Sequence, residues 1–442
     1  MDIYLKRSAD ARLLDWSQQT TRKPLVLRGA RQVGKTALVR NLASTSGLHL
    51  CEVNFERLPR LRTLFEKAGD LSPAALLPQI GALLEADIIA GQTLLFFDEI
   101  QECPQAITFL RYLHEESPQL HVIAAGSLLE FALQRISTPV GRLSFEMIRP
   151  MSFGEFLQAT GRSGLVERRP RIESMKIFSD IPEPIHDALR EALREYFIVG
   201  GMPACVVEFK KTRNFSKVRN VQNDLVQTYL GDIRKYAHGN AQIANAGEVL
   251  ANAFTFVGKQ ISYTSLGQGD AIKRTKQSIE LLSQAQLIHV VRSSSAQHPP
   301  LSSESDDKTF KLVFLDVGLG QCLAGVNPKD LILESDLTAT YSGRISEQFV
   351  GQELLANSND ASEGGRLFYW KRDARGAAAE VDYLLSRDGK IVPVEVKSGA
   401  SGRLKSLHMY LESHGGEGLC LQDTSRCAAV DKIQFLPLYS IL

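Results

Sequence analysis

The sequence predicts an α/β protein: a parallel sheet with crossing helices at the amino end, a helical middle, and a second α/β domain at the carboxyl end. Three observations carry this. The apolar run Pro24-Leu25-Val26-Leu27 leads into GARQVGKT, Gly29 to Thr36, and a helical run from Ala37 to Ala43 follows. A continuous apolar run, Thr93-Leu94-Leu95-Phe96-Phe97, ends in Asp98 and Glu99. Near the carboxyl end two apolar runs, Ala379 to Leu385 and Ile391 to Lys397, flank the turn Arg387-Asp388-Gly389-Lys390.

GARQVGKT fits G-x-x-x-x-G-K-[ST] in the strand, loop, helix context that this phosphate-binding pattern requires. Its glycines let the backbone curl without Cβ clashes, so successive N–H groups can face phosphate oxygens at a helix N-terminus. Gly29, Ala30, Arg31, Gln32, Val33, Gly34, Lys35, Thr36 and Ala37 are the expected cradle for ATP. Lys35 is expected to reach the β- and γ-phosphates, and Thr36 to put its hydroxyl on Mg²⁺.

The run from Thr93 suits a parallel strand covered on both faces, and ligands bind beyond the carboxyl ends of such strands. Asp98 is the expected Mg²⁺ holder, through water, and Glu99 the base that orients and polarises the attacking water. Flanking elements fit: an amphipathic helix over Leu5 to Trp16, a strand over Leu50 to Phe55, and a helix from Ser72 to Ala90 with Ser72 as N-cap. Strands over His121 to Ala125 and Phe145 to Ile148 complete five. Two readings stand for Ser127: a hydrogen bond to the γ-phosphate or the water, or a small residue at a strand-end turn. Two stand for Arg142: neutralising charge on the γ-phosphate, in cis or from a neighbouring subunit of a homo-oligomer, or a solvated loop arginine.

Length and composition set bounds on all of this. The 442 residues are too many for one ordinary core. At 44% hydrophobic and 23% charged, the balance is that of a soluble globular protein. The net charge of +1 excludes a polycation, so nucleic acid must be met by local patches. The six cysteines form no C-x-x-C pair, which suggests neither a zinc site nor a disulfide framework and fits a reducing cytoplasm. No apolar run approaches the ~20 residues that span a bilayer, and the amino end lacks an apolar signal core, so no membrane partner is expected.

The middle reads as helical from Met151 to Leu157, as a basic loop over Gly161 to Arg171, then as helices over Ile185 to Val199 and Ala204 to Lys211 with a break at Gly200 to Pro203. Lys210, Lys211, Arg213, Lys217 and Arg219 form a basic cluster that reads first as a solvated helix face and second as a phosphate-backbone contact. Helices over Asn245 to Phe256 and Asp270 to Leu282, a strand at Gln260 to Tyr263 and another at Leu287 to Val291 follow the order of a winged helix, with its second and third helices within Ser265 to Leu282. That order would leave Lys273, Arg274, Lys276 and Gln277 exposed, either to read DNA or to contact protein. His298 to Lys308 has the composition of a linker, and Phe310 to Phe314 reads as a strand.

In the last domain Ile345 to Ala356 is a helix bearing Glu347, and Arg366 to Lys371 a strand. Ala379 to Lys397 is a hairpin whose turn contains Asp-Gly. Residues i and i+2 of a strand share a face, so Glu395 projects with Lys397, and Asp382 with Glu380. Gathered carboxylates are hard-oxygen ligands for Mg²⁺ or Mn²⁺, and a lysine beside them can position or deprotonate a water attacking a phosphodiester. Asp382, Glu395 and Lys397 are therefore candidate catalytic residues of a PD-(D/E)XK nuclease type, with Glu347, Asp382 and Glu395 as metal ligands. The alternative is a salt-bridged hairpin, or a site kept only as a binding surface.

With those residues placed, the chain resembles a widespread prokaryotic family that joins an AAA-type ATPase to a carboxyl-terminal domain similar to PD-(D/E)XK nucleases. The features that carry the resemblance are GARQVGKT, LLFFDEIQ, AAGSLLEF, VGRLSFEMIRPMSFGEFL, YFIVGGMP, KLVFLDVGLGQCLAG, GRISEQFVGQELL, EVDYLL and VPVEVKSG. The resemblance implies ATP binding and hydrolysis, a helical lid, a winged-helix middle and a restriction-endonuclease-like end. The expected divisions are an ATPase core at 1–157, a lid at 158–240, a winged-helix-like domain at 241–300 and a nuclease-like domain at 301–442. The resulting expectation is a nucleotide state that controls a nuclease-like domain acting on DNA. The alternative is a switched DNA- or protein-binding regulator whose nuclease-like domain is silent.

Overall fold

A computed structural model describes residues 3–127, 129, 141–170, 180–237, 239–266, 270–327, 340–357, 365–372, 379–397 and 404–441. The chain divides into two compact units, Met1–Arg149 and Pro150–Leu442.

The first unit is built on five parallel strands: β1 (Leu25–Arg28), β2 (His49–Asn54), β3 (Thr93–Asp98), β4 (His121–Ala125) and β5 (Ser144–Met147), in the order β2-β3-β4-β1-β5. The interior position of β3, between β2 and β4, explains its composition: Leu94, Leu95, Phe96 and Phe97 are fully buried. Phe97 stacks on Phe55 with centroids 5.8 Å apart and meets Phe65 and Phe109 edge-on. Ser72 caps the helix Pro73–Leu84 by accepting from Ala75 N–H, as its sequence suggests, but that helix stops well short of Ala90. Glu85 turns left-handed at φ +50° and Ala86 N–H closes onto Gly81 O, which ends the helical ladder.

The second unit carries a nine-stranded mixed sheet. Its strands are β6 (Ile261–Ser262), β7 (Ile288–Ser294), β8 (Ser305–Phe314), β9 (Phe368–Lys371), β10 (Glu380–Arg387), β11 (Lys390–Val396), β12 (Gly418–Gln422), β13 (Ala428–Val430) and β14 (Ile433–Pro437). The order is β13-β14-β12-β11-β10-β9-β7-β8-β6. The β10–β11 turn places Asp388 and Gly389 at φ +49° and +72°, the backbone that an Asp-Gly hairpin turn demands.

Several sequence readings change here. The stretch read as a linker, His298 to Lys308, is the connection of the β7–β8 hairpin together with the start of β8. Leu301 is buried in it, and Ser294 pairs with Ser305 across it. Since β7 also pairs in parallel with β9, the sheet runs unbroken from the middle of the chain into its carboxyl end. The basic loop after Gly161 contains a short helix, Ser163–Arg168. The longest described helix of the unit, Phe215–Tyr236, has no counterpart in the sequence reading, and two of the basic cluster's members are engaged rather than free. Arg213 donates to Thr160 O and lies over the Phe209 ring, and Arg219 donates to Val326 O, while Lys210, Lys211 and Lys217 are exposed.

Helices Asn240–Ala253 and Asp270–Gln284 flank β6, and the hairpin β7–β8 follows. Between β6 and the second of these helices the described residues form turns, not the further helix expected there; 267–269 lie outside the described residues. Lys273, Arg274, Lys276 and Gln277 are exposed, with Thr275, Ser278, Ile279 and Leu282 buried behind them. All six cysteines are free thiols. Among the described residues no helix is long and apolar enough to cross a membrane.

Candidate functional site

The loop after β1 is shaped by backbone that a side chain would obstruct. Gly29 has φ +136°, and a Cβ on it would lie 2.1 Å from Ile148 O. Gln32 and Gly34 are left-handed at φ +63° and +99°, and Gly34 is the N-cap of the helix Lys35–Ser46. Ala30 and Val33 are buried, while Gln32 and Ala37 face solvent. Arg31 pairs with Glu56 at 3.7 Å. The guanidinium of Arg7, ahead of the first helix Ser8–Gln18, donates to Val33 O at 3.0 Å and Arg149 O at 2.7 Å, bracing the loop from behind.

Lys35 is buried, and its ammonium donates to Gly29 O at 2.9 Å and Ala30 O at 2.8 Å. Burial pulls it down to about 8, against the opposing pull of Glu99 and Asp98. The Thr36 hydroxyl donates to Asp98 at 3.2 and 3.3 Å, across 62 residues of chain. Asn54, at the end of the neighbouring strand β2, donates to the same carboxylate at 3.1 Å. Burial raises Asp98 above its ordinary value, assisted by the charge of Glu99. Glu99 sits one residue past β3 in left-handed backbone at φ +50°. Its carboxylate accepts from Gln101 Nε2 at 2.7 Å and from Ser127 Oγ at 3.3 Å.

Six of the residues singled out from sequence, Gly29, Gly34, Lys35, Thr36, Asp98 and Glu99, thus fall together at the carboxyl ends of β1 and β3, and Ser127 joins them from the end of β4. The guanidinium of Arg142 pairs with Glu115 on the helix Pro104–Glu116. Sequence reasoning missed Asn54 and Gln101. A polar residue at a strand's last position, or in the turn that follows one, is too common to carry a signal. The chemistry of the Thr36 and Asp98 oxygens fits Mg²⁺ brought in with a nucleotide.

The carboxyl-terminal candidates lie in the second unit. Asp382 stands next to Glu395 because Tyr383 and Val394 are paired partners in β10 and β11. Glu395 accepts from Lys397 at 2.6 Å, so the i, i+2 pair does project together. Glu347 comes from the helix Thr340–Asn357, whose backbone is tied to β10 by Tyr383 Oη donating to Glu347 O at 2.9 Å.

Sequence reasoning also missed Lys311 on β8. Its side chain is 2% exposed, and its ammonium lies 2.9 Å from Glu347, 3.2 Å from Asp382, and in direct contact with Glu380. The other oxygen of Asp382 accepts from Val396 N–H at 2.8 Å. The second oxygen of Glu395 is buried without a hydrogen-bond partner. Burial lifts Glu347 and Glu395 to about 7 each, against Lys311 and Lys397 respectively. Burial alone would depress Lys311, but the three carboxylates outweigh it and hold the ammonium well above its ordinary value. The signal that could have found it is a lone lysine inside the apolar strand Phe310-Lys311-Leu312-Val313-Phe314, since a buried charge requires a partner.

The expected metal set does not assemble in this arrangement. Among the described residues no three His, Cys, Asp or Glu side chains are grouped so as to hold an ion. The space between Glu347, Glu380 and Asp382 is taken by an ammonium, and a divalent cation would have to displace it.

The fold and loop of the first unit define a P-loop nucleotide-binding domain. More particularly, residues 21–157 match the family model described as an AAA domain, which supports an AAA-type P-loop ATPase domain in this part of the chain. Two further models, each described as a domain of unknown function, match residues 190–330 (DUF8612) and 342–441 (DUF4143). Comparison with curated proteins finds no match. Among solved structures the chain is similar to the RuvB Holliday junction branch migration motor of Thermotoga maritima, at 15% identity over 64% of this chain and 89% of that one, with a TM-score of 0.30. It is also similar to a signal transduction ATPase with numerous domains and a tetratricopeptide repeat sensor from Pyrococcus horikoshii. There the identity is 11% over 81% of this chain and 46% of that one, with a TM-score of 0.28. At those scores neither likeness carries an argument.

Proposed function

We propose that this chain binds and hydrolyses ATP at the loop Gly29 to Thr36, and that the nucleotide state controls the carboxyl-terminal, nuclease-like domain acting on DNA. The supporting observation is the Thr36 hydroxyl on the Asp98 carboxylate, with Glu99 held beside it by Gln101 and Ser127. Lys35 exchanges its two loop carbonyls for β- and γ-phosphate oxygens. Thr36 and Asp98 hold Mg²⁺, which when bound with ATP neutralises charge on the phosphates. Glu99 orients and polarises the attacking water, and Ser127 meets the γ-phosphate or that water. Arg142, whose partner Glu115 is partly exposed, acts on the γ-phosphate in cis or, in a homo-oligomer, from a neighbour.

The remaining assignments belong to the same proposal: ATPase core 1–157, lid 158–240, winged-helix-like 241–300, nuclease-like 301–442, and a cytoplasmic location. The exposed Lys273, Arg274, Lys276 and Gln277 offer the basic surface a DNA contact requires. Cleavage in this reading uses Asp382, Glu395 and Lys397, with Glu347, Asp382 and Glu395 toward Mg²⁺ or Mn²⁺.

One observation favours the second reading, a nucleotide-switched DNA- or protein-binding regulator with a silent nuclease-like domain: the ammonium of Lys311 among Glu347, Glu380 and Asp382. A divalent-metal-dependent DNA cleavage assay separates the two, run with and without ATP on the parent, Lys397→Ala and Asp382→Ala. Cleavage by the parent that both substitutions abolish supports the nuclease. Absence of cleavage supports the regulator.

A further inference from the structure

We propose that the groove between the helices Pro59–Lys67 and Pro73–Leu84 of the first unit is a docking site for a helix of a partner protein, one that is small and apolar along one face and carries an acidic residue toward each end of that face.

The two walls carry it. The groove has a volume of about 930 Å³. One wall presents Arg60, Thr63, Leu64 and Lys67, and the other Ala75, Gln79 and Ala82. Each set keeps the spacing of a single helix face, so each wall runs ~10 Å, about two turns. That is the geometry with which a groove takes in a further helix. Leu64 and the alanines give it an apolar floor, and Leu83 on its edge is 46% exposed. An apolar strip left facing water in this way marks an interaction surface. A small molecule is the poorer fit, since Arg60, Thr63, Lys67, Gln79 and Ala82 are all exposed and the walls would not enclose most of its surface.

The charges say which kind of helix. Arg60 and Lys67 are seven residues apart on one face, and among the described residues neither has an ion-pair partner. Asp70, the acid at the groove, is already engaged: its two oxygens accept the Ser72 N–H and the Ser72 hydroxyl, at 2.8 Å each. The helix Pro73–Leu84 contains no charged residue. Arg62 and Glu66 lie on the opposite side of their own helix, where Arg62 pairs with Glu102 at 3.8 Å. The groove therefore offers two unneutralised positive charges bounding an apolar floor. A carboxylate at each end of the incoming face answers them, and a basic helix is repelled. The apolar face supplies the hold, and the acids set the register and the choice of partner.

The test is selection on the full chain, without nucleotide, from a displayed library of helix-forming peptides of about 18 residues, long enough to hold a helix. Enriched peptides are expected to carry Asp or Glu about seven residues apart along an Ala- and Leu-rich face. A labelled selected peptide, followed by fluorescence anisotropy, should lose at least ~10-fold in affinity on Arg60→Glu with Lys67→Glu, and likewise on Thr63→Trp with Ala82→Trp. Replacing the peptide's acids by lysine should abolish binding to the parent and restore it on the charge-reversed variant. A variant that merely failed to fold could not give that rescue. The proposal is overturned by a library that yields no binder, by binders without the acidic pair, or by binders that the four groove substitutions leave unchanged. Sedimentation showing self-association of the parent that Thr63→Trp with Ala82→Trp abolishes would also overturn it, and would assign the groove to a second copy of the chain. No step requires ATP, so the outcome is independent of the ATPase reading.

Discussion

Glu353 accepts the main-chain N–H of Phe153, 2.8 Å away and 200 residues earlier in the chain. The Tyr196 hydroxyl reaches the same oxygen at 3.4 Å. This carboxyl is fully buried and fastens the first helix of the second unit to the helix that also bears Glu347.

Burial pushes Glu353 from its ordinary 4.5 up to about 8. A folded value above the unfolded one means that the protonated acid favours the native state. The contribution is complete below pH 4.5 and is lost progressively as pH rises to about 8. Asp316, lifted by burial to about 6, acts in the same direction over a narrower window. Glu353→Gln keeps an acceptor for Phe153 and removes the titration. Its melting temperature should fall less than the parent's between pH 5 and pH 8, by the equivalent of a few kcal/mol. Equal pH slopes for parent and variant would refute this.

Lys35→Ala should abolish ATP binding, because the buried ammonium is the only lysine charge described in the loop Gly29 to Thr36. Glu99→Gln should still bind, since Thr36 and Asp98 are untouched, while turnover falls roughly 10²-fold or more and bound ATP persists. Filter binding and phosphate release check the pair. Parent-like hydrolysis by both variants would remove the site assignment.

Gln101 positions Glu99 by a 2.7 Å hydrogen bond from its Nε2. Gln101→Ala should therefore lower kcat about 10-fold and leave KM for ATP nearly unchanged. A variant whose KM rises at constant kcat would place Gln101 in nucleotide binding instead.

Gly201→Ala should destabilise the second unit. Its Cβ would fall 2.0 Å from Met151 O, a main-chain atom that cannot rotate away, while Met151 N–H and Gly201 O are hydrogen-bonded at 2.7 Å. Gly201 N–H is meanwhile held at 2.6 Å by Asp316. A loss of roughly 3 kcal/mol or more is expected from the forced backbone shift, read as a lower midpoint in urea. An unchanged midpoint would show that this junction is softer than its packing implies.

How much was legible follows from where each signal lives. The phosphate loop is a local object: two glycines, a lysine and a threonine in eight residues, with a strand before and a helix after. The strand ending in Asp98 and Glu99 shows itself by continuous apolarity, and the turn at Asp388-Gly389 by its need for left-handed backbone. The supposed linker misled because composition reports polarity and not partners. A Pro- and Ser-rich stretch looks the same whether it joins two domains or the two strands of one hairpin.

The sequence by itself determined the nucleotide cradle and the neighbourhood of Glu395 and Lys397, because both follow from backbone conformation and side-chain period over a few residues. Tertiary structure alone decided that Lys311 stands among Glu347, Glu380 and Asp382, that Gln101 and Ser127 steady Glu99, and that Glu353 secures Phe153. Those relations join residues as far as 200 positions apart. What fixes them is the cost of leaving a buried charge or N–H without a partner, which only the assembled sheet and helices can impose.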